Sequence, residues 1–358
     1  MKGVSFPLFK TKLENESKKF NLEDPIGRKE YFVTKAQPDI EKIKEYLDGG
    51  NTFLAILLGK KNSGKGTYSK LFAEAVGKER VLHISVGDMV RELDTIVHDE
   101  SQRAELEEFL KKHYRSSMPL DEALEAIKSR STQFLLPTEL ILSLLRRKIE
   151  NVKGKAIFID GFPRNLDQIS YSLYFRQIMG FKDDPDFFVF IDVPENIIDE
   201  RMKYRVICPI CHVPRNPRLL KTKDVGYDAS TKEFYLMCDD PACNKSRMVP
   251  KEGDSLGIEA IRERIELDDT IMRSLLDMDG VSKIYLRNAY PVSEAPTYIA
   301  DYEITPGYFY SWDEANQKVI TEEKPWTTFD ENGVESYSLF PAPIVVSLLH
   351  QIAEKLSS

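Results

Sequence analysis

Residues Gly59-Lys60-Lys61-Asn62-Ser63-Gly64-Lys65-Gly66-Thr67 follow the pattern G-x-x-x-x-G-K and continue with Gly-Thr. Such a loop lets successive backbone N–H groups turn inward around a phosphate chain, and the helix start behind it adds partial positive charge. Lys65 can reach terminal phosphates as a mobile point charge. The pattern asks for Ser or Thr directly after the lysine; Gly66 intervenes, so Thr67 is the nearest hydroxyl to a nucleotide-bound Mg²⁺. A glycine-rich turn with a chance lysine is the competing reading. Asp160 ends an apolar run and opens Asp160-Gly161-Phe162-Pro163-Arg164. The carboxyl ends of parallel strands line the ligand crevice, so Asp160 is expected to face the phosphates and hold Mg²⁺ through water. Its alternative is a helix N-cap. Arg91, Arg164, Arg201, Arg205 and Arg264 recur where strand ends and loops converge, and arginine matches phosphate oxygens with a rigid fork. Any single one is more often a surface charge. Arg262 is read as one, because an i, i+2 pair cannot share a helix face with Arg264.

The four cysteines make a second constellation. Cys208-Pro209-Ile210-Cys211 is a C-P-x-C knuckle, and Cys238 and Cys243 form a second pair. Two such pairs on adjacent turns suit a tetrahedral thiolate site for structural Zn²⁺. The wider second spacing leaves His212 or Asp240 as substitutes for one ligand, and redox-active or free thiols as the other readings.

These groups need a scaffold. Thr52–Leu58, Ala156–Ile159 and Phe187–Val193 are continuous apolar runs, with Val81–Ile84 and Lys283–Leu286 as shorter ones. Strands buried on both faces read this way in parallel sheets. Helical stretches lie between them at Lys65–Val76, Pro137–Glu150, Leu166–Met179 and Ile258–Leu276. The alternation predicts a doubly wound α/β fold. Two more helices are expected between Arg91 and Pro137, on the stripes Leu106/Phe109/Leu110/His113 and Leu120/Ala123/Leu124/Ile127. His113 reads as a packed or half-exposed residue. Pro38, Ile40, Ile43 and Leu47 predict a short helix over 38–47, ending at Gly49-Gly50. Residues 288–340 are rich in Tyr, Phe and Trp and read as turns and short antiparallel strands, including Gln317–Thr321 and Val334–Leu339. An apolar helix, Ile344–Leu356, closes the chain.

Composition bounds the function. The chain has 358 residues, 50 basic against 58 acidic, for a net charge of −8. That disfavours a nucleic-acid binder. No apolar run of about 18 residues predicts a membrane span, and the start carries no apolar leader. Cysteines confined to one local cluster fit a cytoplasmic protein.

Gly59–Thr67 ending in GKGT, HISVGDMVR (His83–Arg91) and DGFPRNLDQ (Asp160–Gln168) together resemble adenylate kinase and its nucleoside monophosphate kinase relatives. Leu136–Leu140, Ile191–Pro194, Glu200–Arg205, the cysteine-bearing segment and Ile261–Ile265 follow in the family's order. The resemblance covers 52–91, 134–212 and 254–287. It implies a five-stranded parallel P-loop sheet with a helical monophosphate-binding insertion and a zinc-bound lid. The implied domains are an N-terminal extension (1–51), core (52–90), the insertion (91–136), core (137–205), the lid (206–254), core (255–287), an aromatic-rich accessory insertion (288–340) and a C-terminal helix (341–358).

The implied roles are as follows. ATP would be held by Asn62, Ser63, Gly64, Lys65, Gly66, Thr67 and Arg201. AMP would be held by Arg91, Gly161, Arg164 and Gln168. Lys65, Arg164, Arg205 and Arg264 would be catalytic, Thr67 and Asp160 would hold Mg²⁺ through water, and Cys208, Cys211, Cys238 and Cys243 would hold Zn²⁺. The amide of Gln168 can donate and accept along an adenine edge, which favours AMP over other monophosphates; a solvent-facing glutamine is its alternative. The expected reaction is ATP + AMP ⇌ 2 ADP in a monomeric enzyme. The rivals are a kinase for another monophosphate, and a catalytically weak P-loop and zinc-knuckle protein that binds nucleic acid. Val86 stands where the family usually has Thr, and an arginine usual near the lid's end has no clear match, with Arg247 and Lys251 as the two candidates to replace it. The family's adenine-contacting loop is expected to start near Asn288.

Overall fold

Five of the apolar runs assemble into one parallel sheet: β1 (Phe53–Gly59), β2 (Val81–Ser85), β3 (Ala156–Asp160), β4 (Asp186–Asp192) and β5 (Ser282–Arg287). The strand order is β5-β4-β1-β3-β2. β1 is central, with Leu57 opposite Asp160 on one side and Gly59 opposite Ile191 on the other. The loop after Gly59 therefore emerges between the carboxyl ends of two neighbouring strands, where open α/β sheets bind ligands. This structure, a computed structural model, describes residues 1–14, 18–128, 137–166, 168–170 and 185–356.

Side chains alternate across the sheet, so β1 feeds two cores. Phe53, Ala55 and Leu57 pack with α1 (Pro25–Asp48), α2 (Lys65–Val76) and the final helix (Pro341–Lys355). Leu54, Ile56 and Leu58 pack with α3 (Val86–Ile96), α4 (Glu100–His113), α5 (Leu120–Lys128), α6 (Thr138–Ile149) and a helix over Arg262–Leu276. The result is the three-layer α/β/α arrangement that the alternating pattern predicts. α2 matches its predicted range, and α4 and α5 are the two stripes between Arg91 and Pro137. His113 is half-buried, its ring 4.4 Å from that of Phe109. The expected helix over Leu166–Met179 lies mostly outside the described residues, as does Leu136.

The N-terminal helix differs from expectation. It begins at Pro25, not Pro38, and runs to Asp48. Asp24 caps it by accepting from the N–H groups of Ile26 and Gly27, and Pro25 takes the first turn. Ala36 is non-helical (φ −144°, ψ 21°), so Pro38 starts a second helical segment after a kink and not the helix itself. Residues 288–340 form antiparallel strands as expected. Pro306–Asp313 pairs with Lys318–Pro325, and Glu335–Tyr337 pairs with both Tyr290–Pro291 and Thr327–Phe329.

The cysteine-bearing segment, 206–254, contains short strands and one 3-10 turn (Pro241–Cys243), the strands including a hairpin of Val225–Asp228 with Glu233–Leu236. That hairpin packs on the accessory strands. Tyr227 stacks on Trp312 with centroids 4.7 Å apart and an interplanar angle of 20°, and Phe234 lies 5.7 Å from Tyr310. The Tyr310 hydroxyl donates to the Pro217 carbonyl at 2.5 Å, and the Tyr308 N–H donates to the Arg218 carbonyl at 2.8 Å. Among the described residues, no helix is long and apolar enough to cross a membrane.

Candidate active site

The phosphate loop is shaped by its glycines. A side-chain carbon on Gly59 would stand 2.6 Å from Ser63 Oγ, closer than real contacts allow, and a tight 3.0 Å from the Ile191 carbonyl oxygen. Gly64 sits at φ +100°, a backbone region that costs a side-chain-bearing residue, and directly precedes α2. Lys65 folds back over the loop. Its Nζ donates to the carbonyls of Gly59 (2.8 Å) and Lys60 (3.1 Å) and lies 3.8 Å from Asp160 Oδ1. Burial pushes the Lys65 ammonium pKa down; Asp160 and Asp268 oppose this, while Arg264 and Arg164 push it further down. Asn62 Nδ2 and Ser63 Oγ are buried without a hydrogen-bond partner in the protein. Such donors fit a phosphate chain laid into the loop. Thr67 is exposed on the first turn of α2.

The predicted arginines arrive from α3, the loop after β3, the helix Glu195–Lys203 with the residues just after it, and the helix Arg262–Leu276. Arg164 follows β3, and burial, Arg264 and Arg91 hold its pKa below the usual arginine value against the pull of Asp160 and Asp268. Gly87 leaves room for two of them: a carbon added there would lie 3.0 Å from Arg164 Nη2 and 3.8 Å from Arg91 Nη1. Arg91 is exposed and paired with Asp88. Arg264 donates to the Arg164 carbonyl (3.2 Å) and pairs with Asp268 at 2.7 Å. Gln168 is buried, and its Oε1 accepts from the Arg164 backbone N–H at 2.7 Å. Arg201 donates to Ser338 Oγ at 3.1 Å; burial lowers its pKa against the opposing pull of the Tyr68 hydroxyl. Arg205 pairs with Asp254 (2.5 Å) and reaches Asn62 Oδ1 at 3.5 Å.

Two cavities adjoin across this cluster. One, of about 440 Å³, is lined by Lys61, Gly161, Arg164, Arg264 and Asp268 among others. The second, of about 530 Å³, is lined by Gly64, Gly66, Thr67, Arg201, Arg205, Leu219, Thr305 and Phe340 among others. Asn62, Lys65 and Asp160 line both. Two anionic ligands seated in the two spaces would therefore meet over one lysine.

Several lining residues were not read from the sequence. Arg215 lines the larger cavity. Arg247 instead pairs with Asp228 and lies over the Tyr235 ring at 4.2 Å, and Lys251 is exposed. Asn288, near which the adenine-contacting loop is expected to start, lines neither cavity. Asn288 is buried, donating to Tyr68 Oη and the Leu339 carbonyl and accepting from the Leu339 N–H. Leu339, Phe340 and Pro341 line the cavity in its place. The accessory insertion separates β5 from the final helix, and residues at its far end reach the cavity. Asp268 was legible as an i+4 partner of Arg264 on one helix.

The four cysteines converge. All four Sγ atoms lie within 4.8 Å of one another, with Cys211 and Cys238 at 3.6 Å. Metal–sulfur bonds of about 2.3 Å in a tetrahedron place sulfurs roughly 3.8 Å apart, so the donor set fits Zn²⁺. Burial raises the Cys208 pKa, but the N–H groups of Cys211 and Ile210 and the thiols of Cys238 and Cys211 outweigh it and set it at about 7. His212 is exposed, and the Asp240 carboxylate accepts from the Ala242 N–H, capping a turn. Neither is in the cluster.

No family model matches the chain. Curated relatives do. The chain is 29% identical over 228 residues to an adenylate kinase of Clostridium novyi, covering 62% of this chain and 84% of the relative. It is 26% identical over 216 residues to an adenylate kinase of Kosmotoga olearia, covering 60% and 82%. It is 31% identical over 215 residues to an adenylate kinase of Solanum tuberosum, covering 59% and 62%. A phosphate loop at the centre of a five-stranded parallel sheet, together with these relatives, supports placing the chain with the adenylate kinase family of nucleoside monophosphate kinases.

Proposed function

We propose that the protein is an adenylate kinase, catalysing ATP + AMP ⇌ 2 ADP with Mg²⁺ and carrying structural Zn²⁺ on Cys208, Cys211, Cys238 and Cys243. The observation that carries this reading is the pair of cavities sharing Asn62, Lys65 and Asp160. ATP occupies the space next to the first turn of α2, with Arg201 and Arg205. AMP occupies the space next to Arg164 and Arg264, with Arg91 across Gly87 from Arg164 and Gln168 bound to the Arg164 backbone.

An acceptor phosphate oxygen attacks the γ-phosphorus. The bond from that phosphorus to the β–γ bridging oxygen breaks, and ADP leaves with the electron pair. The acceptor is already an anion, so no strong base is needed, and catalysis is alignment with charge neutralisation. Lys65, Arg164, Arg205 and Arg264 supply the charge. Mg²⁺ would neutralise the donor phosphates when bound, its water shell held by Thr67 and Asp160. The cysteine-bearing segment acts as a lid that excludes water.

Turnover of AMP, GMP, CMP, UMP and dTMP with ATP tests the acceptor. AMP is expected to be best, and an equal or better non-adenine acceptor overturns the assignment. The donor wall has its own test. Phe340→Ala removes an apolar face of the donor cavity and is expected to raise the KM of ATP about tenfold with kcat within about twofold, as for lost uniform binding. An unchanged KM places the donor base elsewhere.

A further inference from the structure

Asp268 is a buried acid in a cavity that the proposed reaction fills with phosphates. A carboxylate there is costly twice, through lost hydration and through repulsion of incoming anions. Its two oxygens are spent on different elements. Oδ1 lies 2.7 Å from Arg264 Nη2, and Oδ2 accepts from the Lys61 backbone N–H at 2.9 Å. Arg264 is fixed a second time by its donation to the Arg164 carbonyl. Burial pushes the Asp268 carboxyl pKa up, and Arg264 and Lys65 oppose it. The cations around it repel each other, since Arg264 depresses the pKa of both Lys65 and Arg164. A negative group between them offsets that repulsion and sets the direction of the guanidinium.

We propose that Asp268 is a positioning residue for phosphoryl transfer, tying the Arg264 guanidinium to the Lys61 N–H of the phosphate loop. The proposal rests on the reading of the chain as a monophosphate kinase. Arg264 touches the transferred group; Asp268 acts through it.

Asp268→Asn keeps an acceptor for the Lys61 N–H and deletes the charge. Displacing a catalytic group by about 1 Å can cost about 100-fold, so kcat at saturating ATP and AMP is expected to fall about 10- to 100-fold. The KM of AMP stays level or falls, because a negative charge has left its cavity. In an Arg264→Ala background the same substitution adds less than about twofold, since its route is gone. Asp268→Glu, which keeps the charge, gives a kcat between those of the parent and Asp268→Asn. A kcat of Asp268→Asn within twofold of the parent, a raised KM, or the full loss repeated in the Arg264→Ala background overturns the proposal. Should Asp268→Asn not fold, Asp268→Glu at parental kcat overturns it, and a reduced kcat with unraised KM supports it. A parent enzyme that phosphorylates no nucleoside monophosphate defeats the functional reading instead.

Discussion

Replacing Lys65 with Met is expected to lower kcat by about three orders of magnitude, the scale of losing a charge that neutralises a phosphoryl transition state. The Lys65 ammonium stands between the two cavities, held by the carbonyls of Gly59 and Lys60 and within 3.8 Å of Asp160. Arriving phosphates offer it stronger partners than neutral carbonyls, so it can move with the transferred group. Met preserves the stem that packs under the loop and removes only the charge. The fold is held by the two cores on either side of β1, neither of which uses Lys65. The thermal unfolding midpoint is therefore expected to stay within a few degrees of the parent. Steady-state kinetics and a melting curve on the same preparation check both halves. A kcat within tenfold of the parent would remove Lys65 from the transfer step and undo the site assignment.

The second large effect concerns the cysteine-bearing segment. Its buried apolar core consists of Cys208, Leu236, Cys238, Cys243 and Met248, so most of that core is the thiol cluster itself. A unit so small needs a staple, and a structural zinc site supplies roughly 10–16 kcal/mol in small metal-dependent folds. Cys238→Ser removes a buried ligand from the centre of the cluster. The bound zinc is expected to fall from about one per chain to near zero, with protease cleavage appearing within 206–254. Arg205 and Asp254, at the two ends of the segment, lose their fixed relation. The transfer rate is expected to drop by about 100-fold or more as water exclusion and alignment fail together. Metal analysis, limited proteolysis and rate measurements report on separate parts of this chain of cause. Parent protein that carries no metal yet resists protease and turns over fully would refute the zinc assignment.

Much of this architecture was legible because single physical rules dominated locally. Strand β1 reads directly from an unbroken apolar run, and α2 from the loop that must precede it. Three of the five residues in that module's buried cluster are cysteines, so the thiols and the apolar packing converge on one point. The extended N-terminal helix was missed where two rules competed. Pro38 is a good first-turn residue, but Asp24-Pro25 is an equally good start thirteen residues earlier, and only the buried Tyr31 and Phe32 decide for it. The Leu339–Pro341 wall of the second cavity was not legible, because the expectation followed chain order after β5. Asn288 instead fastens Leu339 through two hydrogen bonds and Ser338 through a third, setting residues at the far end of the insertion against the cavity. A long-range pairing of this kind has no local signature.

Both tryptophans of the chain belong to the accessory strands and their immediate connection. The indole of Trp312 lies flat on Tyr227 of the cysteine module. The molecule thus carries an intrinsic optical gauge. In a Trp326→Phe background, ultraviolet emission comes from Trp312 alone. Parting of the two surfaces would expose that indole to water and shift its emission to the red, whereas a spectrum unmoved by nucleotides would mean that hairpin and module travel as one piece.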